Sequence, residues 1–305
     1  MALQRNHLAL PALLLGAAAL AFAPILVRLA DVSPTASAFW RMALAAPLLW
    51  FWVWATERGA TAKRRELPQR NGLLMLAGGF FAGDVGVWHF SILQTSIANA
   101  TLELNLAPVF VVLGAWLLFG QRASRRFLFA LVIAMAGAIT VIGPHFEAGG
   151  RQLEGDAWGV LAGTFYAGYL LALKSATVTV STARIMAVST GVAAVVLLPY
   201  MLLTAPRVLP AGMAGWMVVA ALALIPHVLG QSLVAFGFAR LPASLSSLSL
   251  LLQPVMAALY AWTLFGESMS ALQIAGAAIV LAGIYLARLS PLPEHPTNYR
   301  PETGE

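Results

Sequence analysis

The residues able to do chemistry in this chain are polar side chains embedded in long apolar runs. A charge or amide in hydrocarbon is costly, and it persists where it meets a partner, a substrate or an ion. Asp84, Trp88 and His89 share one such run. Asp84 and Trp88, four apart, can share a helical face, while His89 lies about 100° round from Trp88. His89 either bonds a carboxylate, carries a proton near neutral pH, or is satisfied by a helix carbonyl. Asn99 and Glu103 sit four apart in the next run. Glu103 is either a proton-coupling group, a partner for a substrate ammonium, or an internally paired acid. Asp84 is the other candidate for proton coupling.

Later in the chain, His227 and Gln231 follow Pro226, which should loosen the helix and free carbonyls. Pro242, Ser246, Ser249 and Gln253 recur at spacings of 4, 3 and 4, one face of a helix. That stripe either lines a cavity or packs closely against a neighbour. Trp158, Ala162, Tyr166 and Tyr169 fall in a narrow arc. The arc is either packing or a surface for stacking and cation–π contact with an amine. Arg41 and Arg184 lie near the ends of apolar runs, and a structural, snorkelling role is expected of both.

The elements that position these residues are membrane spans. The 305 residues are 60% apolar and 10% charged, with mean hydropathy +0.82. That leaves too little polar surface to clothe a soluble core. Ten stretches approach the ~20 apolar residues needed to cross ~30 Å of hydrocarbon. They are roughly 8–29, 34–55, 72–93, 96–119, 126–144, 156–174, 182–204, 213–239, 242–265 and 270–289. Residues 1–27 could pass for a signal peptide, with Arg5 and Ala21-Phe-Ala23, but the apolar run is long enough to span uncleaved. Trp50, Trp52 and Trp54 end the second span as an interfacial belt. The tail 290–305 is polar, rich in proline, and expected to be disordered.

Of the 18 Lys and Arg, 14 fall on one side of these spans, three on the other, and Arg41 lies within one. This bias puts both termini in the cytoplasm. It also explains the net charge of +6 without nucleic acid.

The chain contains a repeat. Residues 98–120, ANATLELNLAPVFVVLGAWLLFG, return as 244–266, SLSSLSLLLQPVMAALYAWTLFG. Pro108 matches Pro254, Trp116 matches Trp262, and Phe119-Gly120 matches Phe265-Gly266, all at an offset of 146. Five spans per half is an odd number, so the halves should point opposite ways. The charges agree: Gly120 is followed by QRASRR, and Gly266 by ESMSAL. The expected domains are a first repeat at 1–148 and a second at 149–289.

The pattern L-x-P followed by W-x-L-F-G-[QE], once in each half, resembles EamA-type carriers of the drug/metabolite transporter superfamily. The resemblance runs over about 8–289 and is strongest at Asn99–Gln121 and Leu245–Glu267. Gln121 departs from the family's usual Glu, which Glu267 keeps. The resemblance implies an all-α membrane protein of ten transmembrane helices, two inverted five-helix repeats about a pseudo-two-fold axis. It implies a central cavity lined by helices 1, 3, 4, 6, 8 and 9. It also implies transport of small metabolites, often amino-acid export from the bacterial cytoplasm. Trp88-His89 and the aromatic sixth helix look most like the aromatic amino-acid exporters.

The expected function is alternating-access export of an amino acid or similar metabolite across the inner membrane, by a monomer. Trp88, His89, Asn99, Glu103, Tyr166, Tyr169, His227, Gln231, Ser246, Ser249 and Gln253 form the candidate substrate site. A broader drug or polar-solute carrier is the alternative. An intramembrane enzyme is disfavoured, because the sequence has no Cys, no H-E-x-x-H and no G-x-S-x-G. Without GxxxxGK[ST], ATP drive within the chain is not expected, and no cofactor is implied. A pore would call for a filter motif or rings of like residues, and neither appears.

Overall fold

A computed structural model describes residues 7–58, 71–95, 102, 104–142, 152–266 and 268–291. The described residues are helical throughout, with no strand. In chain order the elements are α1 Ala9–Leu20, α2 Phe22–Leu29, α3 Pro34–Glu57, α4 Asn71–Ile92, α5 Ala107–Phe119, α6 Arg125–Ile142, α7 Gln152–Ala176 and α8 Thr182–Thr204. They continue with α9 Met213–Leu222, a π-helical stretch Ala223–Gln231, α10 Ser232–Arg240, α11 Ala243–Ser249, α12 Leu252–Phe265 and α13 Ala271–Arg288. Among the described residues, eight helical stretches are long and apolar enough to cross a membrane. The shorter α5 is apolar, and α7, at 25 residues, is long enough.

The interruptions follow the prolines. A proline cannot donate the N–H that the carbonyl four residues earlier would accept. The first span breaks at Ala21, just before Pro24, and the α11–α12 break comes just before Pro254. Asn105 and Leu106 form a turn ahead of Pro108, the repeat counterpart of Pro254. Around Pro226 the expected loosening takes a specific form: the helix widens into nine residues of π-helix rather than opening. Such segments are rare and collect at functional sites. Both halves end the repeated stretch in the same way, with Gly120 and Gly266 in the left-handed region at φ 64° and 68°. Glycine alone adopts that conformation at little cost.

Helices of the two halves pack against each other. α6 lies along α13, α3 along α8, α4 along α7 and α8, and α1 along the π stretch and α10. The α6–α13 crossing is backbone to backbone. A methyl group added at Gly137 would lie 2.6 Å from the Val280 nitrogen, one at Gly283 2.7 Å from the Ala134 nitrogen, and one at Gly276 2.9 Å from the Val141 nitrogen. As numbers rise along α6 from 134 through 137 to 141, they fall along α13 from 283 through 280 to 276. The two helices are therefore antiparallel. Gly137 and Gly283 are repeat counterparts, as are Ala134 and Val280, so the contact is reciprocal.

Polar ties join the halves at both ends of α3 and α8. At one end Glu57 pairs with Arg184 at 3.0 Å and accepts a 2.8 Å bond from the Ser181 hydroxyl. Ser181 also caps α8. At the other end Trp40 Nε1 donates to the Val208 carbonyl at 2.8 Å, and the Ala211 N–H donates to Asp31 Oδ2 at 2.9 Å. Arg184 thus has the structural role expected of it. Trp50 and Trp54 are half-exposed, and Arg58 lies 3.7 Å above the Trp54 ring.

Lys174, at the end of α7, donates 2.8 Å bonds to the Phe238 and Leu241 carbonyls, which close α10. Charged donors suit helix C-termini. Lys174→Met should lower stability by about 1–3 kcal/mol, read as an earlier unfolding midpoint in detergent. Arg240→Met is the comparison, since among the described residues Arg240 contacts its own helix, bonding the exposed Phe236 carbonyl and lying 3.5 Å over the Phe236 ring. Equal midpoints for the two variants would contradict this.

Candidate functional site

The broken and widened helices surround one cavity. Arg41 enters from α3, and Asp84 and Trp88 from α4, with Phe81 and Val85 beside them. Tyr166 comes from α7, Gln231 from the π stretch and Gln253 from α12. Leu20, Ala21 and Pro24 at the first-span break, with Leu104 and Ala257, complete the apolar wall. The cavity holds about 60 Å³ of room for the centres of water-sized molecules. That admits a few waters, so a metabolite requires the walls to part.

Several polar atoms here have no hydrogen-bond partner among the described residues. Arg41 Nε, Asp84 Oδ1, Trp88 Nε1 and Gln231 Oε1 are sealed from solvent without a hydrogen bond. Tyr166 and Gln231 are close enough to interact, yet form no well-made bond. Each such group costs about 1–3 kcal/mol, and more if charged.

The sequence candidates divide into four sets. Asp84, Trp88, Tyr166, Gln231 and Gln253 line the cavity. Tyr169, His89 and His227 are fully buried behind it. Tyr169 packs its ring 4.6 Å from Phe81 and directs its hydroxyl to Met186 Sδ at 3.6 Å. His89 Nδ1 donates to the Val85 carbonyl at 2.7 Å, one turn back on its own helix, leaving Nε2 unpartnered. His227 Nε2 shares a 2.8 Å bond with Thr190 Oγ1 and stacks on Phe81 at 5.3 Å.

Ser246 and Ser249 are buried but do not line the cavity, and the Ser249 hydroxyl returns to the Leu245 carbonyl at 2.8 Å. The break before Pro254 separates them from Gln253, so the expected stripe does not continue as one face. Asn99 and Glu103 lie outside the described residues. Of the aromatic arc, Trp158 sits edge-on to Phe90, away from the cavity.

Arg41 is the residue that sequence reasoning missed. It does not snorkel: it is 4% exposed and lies in the cavity with Asp84. The signal was present, since Arg41 is the one basic residue left within a span after the charges were assigned to sides.

A helical membrane bundle with a polar cavity walled by both of its related halves is built as a membrane transporter. The chain belongs to the EamA-like transporter family, which matches it twice, over residues 7–143 and 153–289. Among curated relatives, the pseudopaline exporter CntI of Pseudomonas aeruginosa is 26% identical over 82% of this chain and 84% of its own. A probable terminal-alkyne amino-acid exporter of Streptantibioticus cattleyicolor is 27% identical over 72% and 74%. An uncharacterized transporter of Archaeoglobus fulgidus is 28% identical over 65% and 69%. A solved structure, 19% identical, shares the fold with a TM-score of 0.76 over 93% of this chain and 97% of its own.

Proposed function

We propose that the chain is a secondary carrier exporting an amino acid or close relative from the cytoplasm across the inner membrane, and not an enzyme. The observation that carries this is the cavity, to which the first half brings Arg41 and Asp84 and the second Tyr166, Gln231 and Gln253. The names of two relatives, one a probable amino-acid exporter, support the substrate class.

In this reading ten helices cross the membrane as two inverted five-helix repeats, 1–148 and 149–289, with both termini cytoplasmic. The reciprocal antiparallel packing of α6 on α13 and the shared glycine caps support the inversion. One half rocks against the other and exposes the cavity to each side in turn. A monomer suffices for this, because both walls belong to one chain.

Purified protein in liposomes loaded with labelled amino acids should show saturable efflux that follows the solute gradient. Folded protein that moves none of the twenty amino acids would refute the substrate class. Flux that never saturates would point instead to a pore.

A further inference from the structure

We propose that Arg41 and Asp84 read the two charges of a zwitterion, Arg41 taking an α-carboxylate and Asp84 an α-ammonium. The inference rests on the carrier reading above and names the chemical feature that the cavity selects.

Arg41 and Asp84 come from adjacent elements, α3 and α4, and both are buried. Both line the cavity, yet no close ion pair joins them, and Arg41 Nε and Asp84 Oδ1 have no hydrogen-bond partner among the described residues. If this pair were a structural tie, it would close directly, as Glu57 and Arg184 do at 3.0 Å. Both line one cavity without pairing there, so a ligand carrying an anion and a cation would answer the two together. A zwitterion supplies both and leaves no charge uncompensated. A lone carboxylate would meet Arg41 but face Asp84, and a lone amine would face the opposite conflict.

The planar guanidinium fork suits a carboxylate. Trp88, Tyr166 and Phe81 give the lining an aromatic character suited to an apolar or aromatic side chain. Burial raises the cost of any mismatch, so the pair contributes selectivity more than raw affinity.

The test uses the full chain in detergent and three probes: L-phenylalanine, phenethylamine (no carboxylate) and 3-phenylpropionate (no amine). Binding is read as thermal stabilisation. Phenylalanine should bind wild-type protein at least about tenfold more tightly than either analogue. Arg41→Gln should lose that preference and favour phenethylamine, and Asp84→Asn should favour 3-phenylpropionate. Analogues that bind wild-type protein as tightly as phenylalanine overturn the proposal, and so does a protein that binds none of the twenty free amino acids. The wild-type comparison decides even if neither variant folds. Amino-acid flux in liposomes with no discrimination between probes sinks this inference and leaves the carrier reading standing. Discrimination without flux does the reverse.

Discussion

Gly137→Leu should remove most of the stability of the bundle, by on the order of 3 kcal/mol or more. Even a methyl group there would lie 2.6 Å from the Val280 nitrogen and 2.8 Å from the Gly276 carbonyl oxygen. Both atoms are backbone, so no side chain can swing aside, and α13 itself must retreat. Small residues let helices approach closely in a membrane, where packing rather than water drives association. Gly79→Leu is the control, because nothing lies within 4 Å of a β-carbon added there. Unfolding midpoints in detergent, followed by tryptophan fluorescence, should drop steeply for Gly137→Leu and hardly move for Gly79→Leu. Equal drops would mean that the α6–α13 crossing is not where the halves are held.

The second large effect concerns transport. Thr95 Oγ1 donates to Asp156 Oδ1 at 2.8 Å, and the Ser91 hydroxyl donates to the Gly155 carbonyl at 2.8 Å. These bonds tie the end of α4 in the first half to the start of α7 in the second. In a rocking mechanism these ends must part when the cavity opens on their side. The chain has no cysteine, so Thr95→Cys with Asp156→Cys introduces a single possible disulfide, at a site where the side chains already meet. Oxidation should drop efflux to background, and a reductant should restore it, with free-thiol counts confirming the bond. Full flux through the cross-linked protein would mean that these helix ends do not separate, and the rocking mechanism would be wrong.

Much of the scaffold was readable because lipid is a demanding solvent. Backbone groups in hydrocarbon must bond within their own segment, so long apolar runs become helices whose ends can be seen. The expected 34–55, 182–204 and 270–289 appear as Pro34–Glu57, Thr182–Thr204 and Ala271–Arg288. The duplicated Pro108 and Pro254, and the duplicated Gly120 and Gly266, likewise behave alike where they stand. The site was less legible. Helical spacing put Ser246, Ser249 and Gln253 on one face, but that reasoning assumes an unbroken helix, and Pro254 breaks it. His89 and Tyr169 have the chemistry of ligand-binding residues, yet the first bonds the Val85 carbonyl of its own helix and the second directs its hydroxyl to Met186.

The sequence by itself determined the family and the helical class, and it marked Pro226 as a point where a helix would loosen. These follow from local rules: hydrophobic length, a missing N–H at proline, and the freedom of glycine at positive φ. Only the tertiary structure decided which polar groups meet. Arg41 and Asp84 lie 43 positions apart on different helices, and nothing in their spacing brings them together. What brings them to one cavity is how helices from both halves pack, and that depends on contacts between residues far apart in the chain.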